Sequence, residues 1–146
     1  MHEMQLLGPV LGRSAHLARE RMDARLRDYD VTPAQIHVMC YLHGHGGTAP
    51  QYEVTAHLQV KPSTAAGILD RMEERGLVER SVSTADARRR LVTLTEKGAA
   101  LQADCHRIFL EAEELMLRGL TAEEQTTLFG LLRRVIVNLE EDRTAW

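Results

Sequence analysis

The sequence predicts a mainly α-helical chain with one small β-hairpin and long helices at both ends. Three observations support this fold class. Apolar residues recur at steps of three and four through most of the 146 residues. Two short β-prone runs lie close together beyond the middle of the chain, and the last third has two long apolar seams. A chain of this length fits a single domain, and we expect residues 1–146 to form one.

The first 28 residues predict a helix. Its apolar positions fall into two rows, the first made of Leu7, Leu11, Ser14, Ala18 and Met22 and the second of Leu6, Val10 and Leu17. A lone surface helix needs only one such row, so this helix is expected to be covered on more than one side.

Three shorter helices are predicted next. The first begins at Thr32-Pro33, where threonine can cap a helix and proline suits its first position. The second covers about Gln51 to Leu58. The third begins at Pro62 and is followed by Gly76. Its predicted inward face consists of Ala65, Ile68, Leu69 and Met72.

The hairpin is predicted from two β-prone runs, Leu77 to Ser83 and Leu91 to Thr95, around a polar and basic tip. Two long helices end the chain. One runs from about Thr95 to Arg118, and the other begins at the capping box Thr121-Ala122-Glu123-Glu124.

The charge is distributed unevenly. The net charge is −3, which by itself argues mildly against a nucleic-acid partner. However, the segment from Arg80 to Arg90 holds four arginines and one aspartate. The segment from Glu111 to Asp142 holds eight acids against three arginines. The positive field is therefore concentrated in the predicted hairpin.

Targeting signals and disulfides are not predicted. No apolar run approaches the roughly 18 residues that a membrane helix needs, and the first residues do not resemble a signal peptide. Two cysteines, Cys40 and Cys105, are too few for a disulfide framework, and both are expected to be small buried apolar residues. We therefore expect a cytoplasmic protein without a membrane partner.

Two helices joined by a tight turn and followed by a hairpin with a basic tip form a winged helix-turn-helix. The residues resemble the MarR (multiple antibiotic resistance) family from about Leu6 to Leu139, most closely from Glu53 to Gly98. Glu53–Val60 resembles the first helix of the motif, and Ser63–Val78 resembles the recognition helix and the exit into the wing.

The wing carries the most specific part of the resemblance. Asp86-Ala87-Arg88 with Leu94-Thr95 matches the family signature Asp-x-Arg-x5-Leu-Thr, and Thr95-Glu96-Lys97-Gly98 then opens the next helix as in the family. Three positions depart from the family pattern. Gln59 stands where the turn often has glycine, Thr55 where alanine is usual, and Lys61 where serine or aspartate often caps the recognition helix.

The resemblance implies a homodimeric transcription regulator, usually a repressor, that binds double-stranded DNA at a pseudo-palindromic operator. Residues 31–98 would form the DNA-binding lobe, and residues 1–30 and 99–146 would be the dimerisation helices. Two-fold symmetry would present two recognition helices to half-sites about one helical turn apart.

With the apolar face of the recognition helix inward, its polar side is free to enter the major groove. Ser63 and Thr64 lie near the positive end of the helix dipole, where they can bind phosphate or a base edge. Arg71 suits a bidentate contact with guanine or phosphate. The predicted DNA-binding residues are Lys61, Ser63, Thr64, Ala66, Gly67, Arg71, Arg88, Arg89 and Arg90.

Within the wing, the resemblance implies that Arg88 enters the minor groove and that Asp86 shapes the wing. Asp86 is also close enough in sequence to orient the Arg88 guanidinium. Arg89 and Arg90 are then expected to contact phosphates, which adds affinity and salt dependence.

The resemblance further implies a small aromatic or anionic effector, for which the candidate residues are His16, Arg19, His37 and Tyr41. No cofactor and no metal ion is predicted. Three alternatives remain open at this point. They are a metal-sensing winged-helix regulator using Cys40, His43 and His45 with His106, a winged-helix module that binds protein, and a cysteine hydrolase built on Cys40. No oxyanion motif accompanies Cys40, so we predict that the chain is not an enzyme.

Overall fold

A computed structural model of the chain describes residues 6–142. The helices are α1 (Leu7–Leu26), α2 (Pro33–Gly44), α3 (Gln51–Leu58), α4 (Pro62–Glu74), α5 (Glu96–Leu117) and α6 (Ala122–Glu141), with a short 3-10 helix at Arg27–Tyr29. The strands are β1 (Thr48–Pro50), β2 (Val78–Val82) and β3 (Arg90–Leu94). The predicted fold class, mainly helical with a small β wing, is confirmed. No helix in the described part of the chain is long and apolar enough to cross a membrane.

The sheet has one strand more than the predicted hairpin. Its order is β1-β3-β2, and both pairings are antiparallel. The additional strand, β1, pairs Thr48 with Thr93, and their hydroxyl oxygens lie 3.1 Å apart. We use the term wing for β2, β3 and the tip between them, residues 83–89. Because β1 leads directly into α3, the pairing of β1 with β3 ties the base of the wing to the start of α3.

The chain divides into two compact units, Met1–Leu110 and Glu111–Trp146. The apolar core lies in the first. The predicted inward face of α4 is buried there, and α2 contributes Val38, Met39 and Leu42, all fully buried. Val54 of α3, Val92 of β3 and Cys105 of α5 complete the same cluster. The core thus holds α4 by its apolar side and leaves its polar side to solvent.

Both α2 and α6 begin with capping boxes. At α2, the Thr32 hydroxyl accepts a hydrogen bond from the Gln35 backbone N–H (3.2 Å), and the Gln35 side-chain oxygen accepts one from Thr32 N–H (3.3 Å). Arg75, which follows α4, also donates to the buried Gln35 oxygen and to the Asp30 carbonyl. At α6, the predicted box between Thr121 and Glu124 is confirmed.

The end of α4 and the start of α5 approach each other closely. Gly76, at φ +72°, closes α4 in a Schellman motif, in which Gly76 N–H donates to Glu73 and Leu77 N–H to Met72. The Leu77 carbonyl accepts a hydrogen bond from the backbone N–H of Thr95 at 3.1 Å. Gly98 packs directly against that carbonyl, and a Cβ at Gly98 would lie 2.1 Å from its oxygen.

The turn from α3 to α4 contains a strained residue. Gln59, in the place where the family often has glycine, adopts the left-handed conformation with φ +55°. Lys61 is the N-cap residue of α4, but its side chain makes no capping hydrogen bond. The helix that carries the polar face therefore begins without the side-chain cap that α2 and α6 have.

Apolar side chains remain exposed on α1 and α6. Leu26 is the only buried residue of α1, and none is buried in α6. The largest exposed apolar residues of α1 are Leu7, Val10 and Leu17, and those of α6 are Leu128, Phe129, Leu131, Ile136, Val137 and Leu139. Of the two rows predicted for the first helix, the second, Leu6, Val10 and Leu17, is therefore exposed, whereas Leu11, Ala18 and Met22 of the first are half-buried.

The two cysteines differ in burial. Cys105 is fully buried, as predicted, and burial raises the pKa of its thiol. Cys40 is only half-buried, because the stripe of α2 on which it lies is not entirely covered.

We predict that Gly98→Ala lowers the free energy of unfolding by about 1–3 kcal/mol, because the new methyl group overlaps the Leu77 carbonyl, which cannot move away. The matched control is Gly67→Ala within α4, where the nearest atom to a Cβ is Arg71 Nη1 at 4.0 Å. There the higher helix propensity of alanine should stabilise the chain by about 0.5–1 kcal/mol. Urea denaturation of both variants measures the difference, and equal midpoints would contradict the prediction.

We also predict that Cys105 reacts with a disulfide reagent at pH 8 much more slowly than Cys40. The thiolate is the reacting form, and Cys105 combines burial with a raised thiol pKa. Comparison of Cys40→Ser with Cys105→Ser assigns the two rates. Equal rates in the native protein would show that Cys105 is accessible.

Candidate nucleic-acid interface

The outward side of α4 is open and polar. Ser63, Thr64 and Arg71 are exposed, whereas Ala66 and Gly67 are half-buried. Within residues 6–142, the side chains of Ser63, Thr64 and Arg71 have no hydrogen-bonding partner. Gly67 leaves the middle of this face without a side chain, so another molecule can approach the helix backbone there.

The N-terminal end of α4 adds a positive potential. Lys61 and the first turn of α4 are exposed, and Pro62 occupies the first helical position. Because no side chain caps this end, backbone N–H groups of the first turn remain available to an anion. The Ser63 and Thr64 hydroxyls lie beside these N–H groups in the sequence. The start of α4 therefore has the donors that a phosphate requires.

The wing tip is held by hydrogen bonds of its own backbone. The Asp86 carboxylate accepts a hydrogen bond from Arg88 N–H at 2.9 Å, and the Asp86 carbonyl accepts one from Arg89 N–H at 3.0 Å. Ser83 N–H donates to the Arg89 carbonyl at 2.8 Å and closes the tip. Asp86 thus shapes the wing through the Arg88 backbone, whereas the sequence suggested contact with the guanidinium.

Arg88 and Arg89 are exposed in the wing tip, and Arg90, the first residue of β3, is exposed next to them. In the part of the chain that the structure describes, none of the three forms an ion pair with an acidic side chain. Three adjacent guanidinium groups repel one another, and their repulsion is relieved when an anion binds between them. The wing tip is therefore a concentrated and uncompensated positive surface.

Arg80, the fourth arginine of the basic segment, has a different environment. Its side chain is only 15% exposed and forms ion pairs with Asp70 and Glu73 of α4, the latter at 2.9 Å. The hydrogen bond that Arg80 donates to the Glu73 carboxylate is the main cause that raises the pKa of Arg80. Arg80 thus pairs with two acids of α4, partly offsets their charge and joins β2 to α4. The sequence shows four basic residues here, but only three are available to a partner.

A cleft of about 600 Å³ separates the wing tip from α3 and the α3–α4 turn. Its lining residues are Gln51, Tyr52, Thr55, Ala56, Gln59, Val60, Pro62, Arg88, Arg89 and Arg90. The Arg89 guanidinium carbon lies 5.3 Å from the centre of the Tyr52 ring, which is within the range of a cation–π contact. The side-chain oxygen of Gln51 is buried without a hydrogen-bonding partner among the described residues. Sequence reasoning missed Gln51 and Tyr52, because only the β1–β3 pairing brings the start of α3 to the wing.

Two of the four predicted effector residues lie in one cluster. The Tyr41 ring stacks on the His45 ring at 4.0 Å and lies 4.6 Å from the His57 ring, and the His37 ring is 6.4 Å from that of His57. Tyr41 donates a hydrogen bond to Glu53 at 3.3 Å. Burial, together with the Glu53 charge, raises the pKa of Tyr41 and keeps its hydroxyl protonated.

The other two predicted effector residues, His16 and Arg19, are exposed on α1. Within the described range, neither forms a hydrogen bond, ion pair or ring contact with the Tyr41 cluster. A separate cavity of about 380 Å³ lies where α1 ends and α2 begins. Its lining residues are Asp23, Leu26, Arg27, Asp30, Val31, Thr32, Pro33 and Ile36, and none of the four predicted residues is among them.

The residues considered for a metal site do not form one in the structure. Among residues 6–142, no group of three or more histidine, cysteine, aspartate or glutamate side chains is placed to hold a metal ion. The His45 Nδ1 atom instead lies 2.7 Å from the Tyr41 carbonyl oxygen.

Comparison with solved structures gives the same fold over nearly the whole chain. The complex of Staphylococcus aureus MepR with DNA superposes with a TM-score of 0.76 at 25% identity, over 92% of this chain and 98% of that one. Bordetella bronchiseptica BpsR, whose DNA binding is regulated by 6-hydroxynicotinic acid, superposes with a TM-score of 0.72 at 27% identity. The match covers 92% of this chain and 96% of that one.

Sequence comparison identifies the family. The sequence model of the MarR family matches residues 31–89, which include α2, β1, α3, α4, β2 and the whole wing tip. The multiple antibiotic resistance protein MarR of Escherichia coli is 34% identical over 131 residues, which are 86% of this chain and 90% of that protein. The chain therefore belongs to the MarR family of winged-helix transcription regulators.

Proposed function

We propose that this regulator binds a pseudo-palindromic DNA operator as a homodimer, with α4 in the major groove and Arg88 in the minor groove. Residues 31–98 act as its DNA-binding lobe, and residues 1–30 and 99–146 as its dimerisation helices. The observation that carries the proposal is the exposed group Arg88, Arg89 and Arg90, which forms no ion pair with an acid in the described part of the chain. These arginines line one cleft with the turn that leads into α4.

The base contacts follow from the geometry of α4. A helix fits the major groove when one face offers donors and the other stays in a core. Thr64 and Arg71 offer donors, whereas Ala66 and Gly67 allow the helix to approach the base edges. Lys61 and Ser63, near the uncapped helix end, bind phosphate. The Arg80 ion pairs support this arrangement because they partly offset the negative charges of Asp70 and Glu73, which would repel the DNA.

The wing provides the minor-groove contact. A narrow minor groove has an enhanced negative potential, which attracts an inserted arginine. Asp86 fixes the backbone at Arg88, so less conformational freedom is lost when the side chain enters the groove. Arg90 begins β3 and contacts phosphate, which contributes affinity without base specificity.

Dimerisation explains the exposed apolar residues of α1 and α6. In a soluble monomer such rows would remain in water, whereas an isologous dimer buries them in pairs. Two copies also supply two recognition helices, as the symmetry of a pseudo-palindromic operator requires.

Release by a small aromatic or anionic effector completes the proposal. BpsR, a structural relative, is regulated in its DNA binding by 6-hydroxynicotinic acid. In this chain, the predicted effector residues His37 and Tyr41 lie in one cluster of rings, which suits a small aromatic effector. The cavity of about 380 Å³ between α1 and α2 is lined by Arg27 together with Asp23 and Asp30, so it offers no net positive charge to an anion. An effector lowers DNA affinity only if it binds one arrangement of the two recognition helices better than the other.

One prediction of the proposed function concerns Arg88. A duplex is selected from a random-sequence pool with the wild-type protein, and affinity is measured by fluorescence anisotropy at several salt concentrations. Arg88→Ala is expected to weaken binding by about 1–3 kcal/mol, because a desolvated charge contact in the minor groove is lost. Arg90→Ala should weaken binding to all sequences and reduce the salt slope by about 1.

Arg118→Ala is the matched control, since it removes an exposed arginine outside the proposed surface and should leave affinity unchanged. Failure to select any duplex, or an affinity indifferent to Arg88, would contradict the proposal. Either result would favour a winged-helix module that binds protein. If DNA binding required stoichiometric zinc, or if stoichiometric zinc abolished it, a metal-sensing regulator would be favoured instead.

Another prediction of the proposed function concerns the dimer. Leu131 is 53% exposed on α6, and Leu131→Glu places a charge in the apolar row that the partner is proposed to cover. Sedimentation equilibrium should show the wild type as a dimer and the variant shifted towards monomer, with weaker binding to the selected duplex. The matched control Leu131→Met, which keeps an apolar side chain of similar volume at the same position, is expected to remain dimeric. A wild-type monomer at micromolar concentration would overturn this part of the proposal.

A further inference from the structure

The wing tip has one lateral contact with the rest of the lobe. In the described part of the chain, the hydrogen bonds of residues 83–89 all stay within that segment. Its ring contact is between Arg89 and Tyr52, the second residue of α3. Among the hydrogen bonds, ion pairs and ring contacts of the described residues, the Arg89–Tyr52 contact is therefore the one that joins the tip to α3.

Arg89 is well placed to transmit a constraint to the tip. Its N–H donates to the Asp86 carbonyl and its own carbonyl accepts from Ser83 N–H, so both its backbone groups take part in closing the tip. Arg88 is the adjacent residue. A restraint on the Arg89 guanidinium thus limits where the Arg88 side chain can lie.

Tyr52 is itself held in place. Its ring is 56% exposed, yet its hydroxyl donates a hydrogen bond to one oxygen of Glu53 at 3.3 Å. The other oxygen of Glu53 accepts a hydrogen bond from Tyr41 at the same distance. Tyr41 is half-buried and stacks on His45, so the Tyr52 ring connects to α2 through a continuous series of contacts.

We propose that Tyr52 is a positioning residue for DNA binding, which holds the wing tip through Arg89 at a fixed distance from α4. This inference rests on the proposed function. Tyr52 and Arg89 line opposite sides of the cleft of about 600 Å³ that separates the wing tip from α3 and the α3–α4 turn. Their contact therefore limits the distance of the tip from the turn that leads into α4. It thereby allows Arg88 and the polar face of α4 to reach adjacent grooves together. Arg89 would thus position the tip in addition to making the phosphate contact predicted from the sequence.

The test is a double-mutant cycle on affinity for the selected duplex, using Tyr52→Leu, Arg89→Ala and the double variant. Tyr52→Leu is expected to weaken binding because the wing tip loses the contact that orders it. The expected loss is about two- to fivefold, which corresponds to the free energy of an exposed cation–π contact. In the Arg89→Ala background, the same substitution should have no further effect. Tyr52→Phe, which keeps the ring, should bind within about twofold of the wild type.

Two readouts separate positioning from other roles. Tyr52→Leu should leave the salt slope unchanged, since no phosphate contact is removed. In the protein without DNA, ¹⁵N relaxation should show lower order parameters for the Ala87 and Arg88 amides in Tyr52→Leu but not in Tyr52→Phe. Equal losses of affinity in both backgrounds would mean that Tyr52 contacts DNA directly, and this would overturn the inference.

The relaxation measurement distinguishes a failure of this inference from a failure of the proposed function. If the wild type bound no duplex, the proposed function would fail, but the order of the tip would still decide whether Tyr52 holds it. If Arg88→Ala weakened binding while Tyr52→Leu changed neither affinity nor tip order, the proposed function would stand and the positioning role would be wrong.

Discussion

The contact of Gly98 with the Leu77 carbonyl fixes the part of the molecule on which the site depends. Leu77 lies between the end of α4 and the start of β2, and Gly98 lies in the first turn of α5. The Thr95 hydroxyl donates to the Gly76 carbonyl at 2.6 Å, and the Lys97 ammonium donates to the Arg75 carbonyl at 2.6 Å. A side chain at position 98 would force these segments apart. Their close packing sets the direction in which the wing leaves α4.

Arg80 and the wing arginines show how neighbouring charges of one sign can have opposite roles. The Arg80 side chain is largely buried against Asp70 and Glu73, where its charge is compensated within the lobe. Arg88 and Arg90 extend into solvent without acidic partners in the described chain. An overall charge of −3 is therefore compatible with DNA as a partner, because affinity depends on the charge that faces the phosphates.

Local patterns in the sequence predicted the elements whose signals are local. The predicted bounds of the second short helix, Gln51 to Leu58, coincide with α3, and the capping box at Thr121 begins α6 as expected. β1 was missed because three residues that include a proline carry no periodicity, and they become a strand only by pairing with β3. For the same reason, the Arg80 ion pairs and the Tyr52–Arg89 contact were not predictable. Each of these interactions joins residues from two different elements, and the sequence pattern does not predict how those elements are placed relative to each other.

The start of α4 illustrates a conflict between folding and binding. An aspartate or serine at the N-cap typically contributes about 1 kcal/mol to stability, and α2 and α6 both use a threonine there. Lys61 forgoes this contribution and leaves the first backbone amides of α4 without a side-chain partner. An aspartate at this position would satisfy those amides, but it would also present a negative charge to the phosphates. Selection for a more heat-resistant protein and selection for a tighter repressor would therefore favour different residues at position 61.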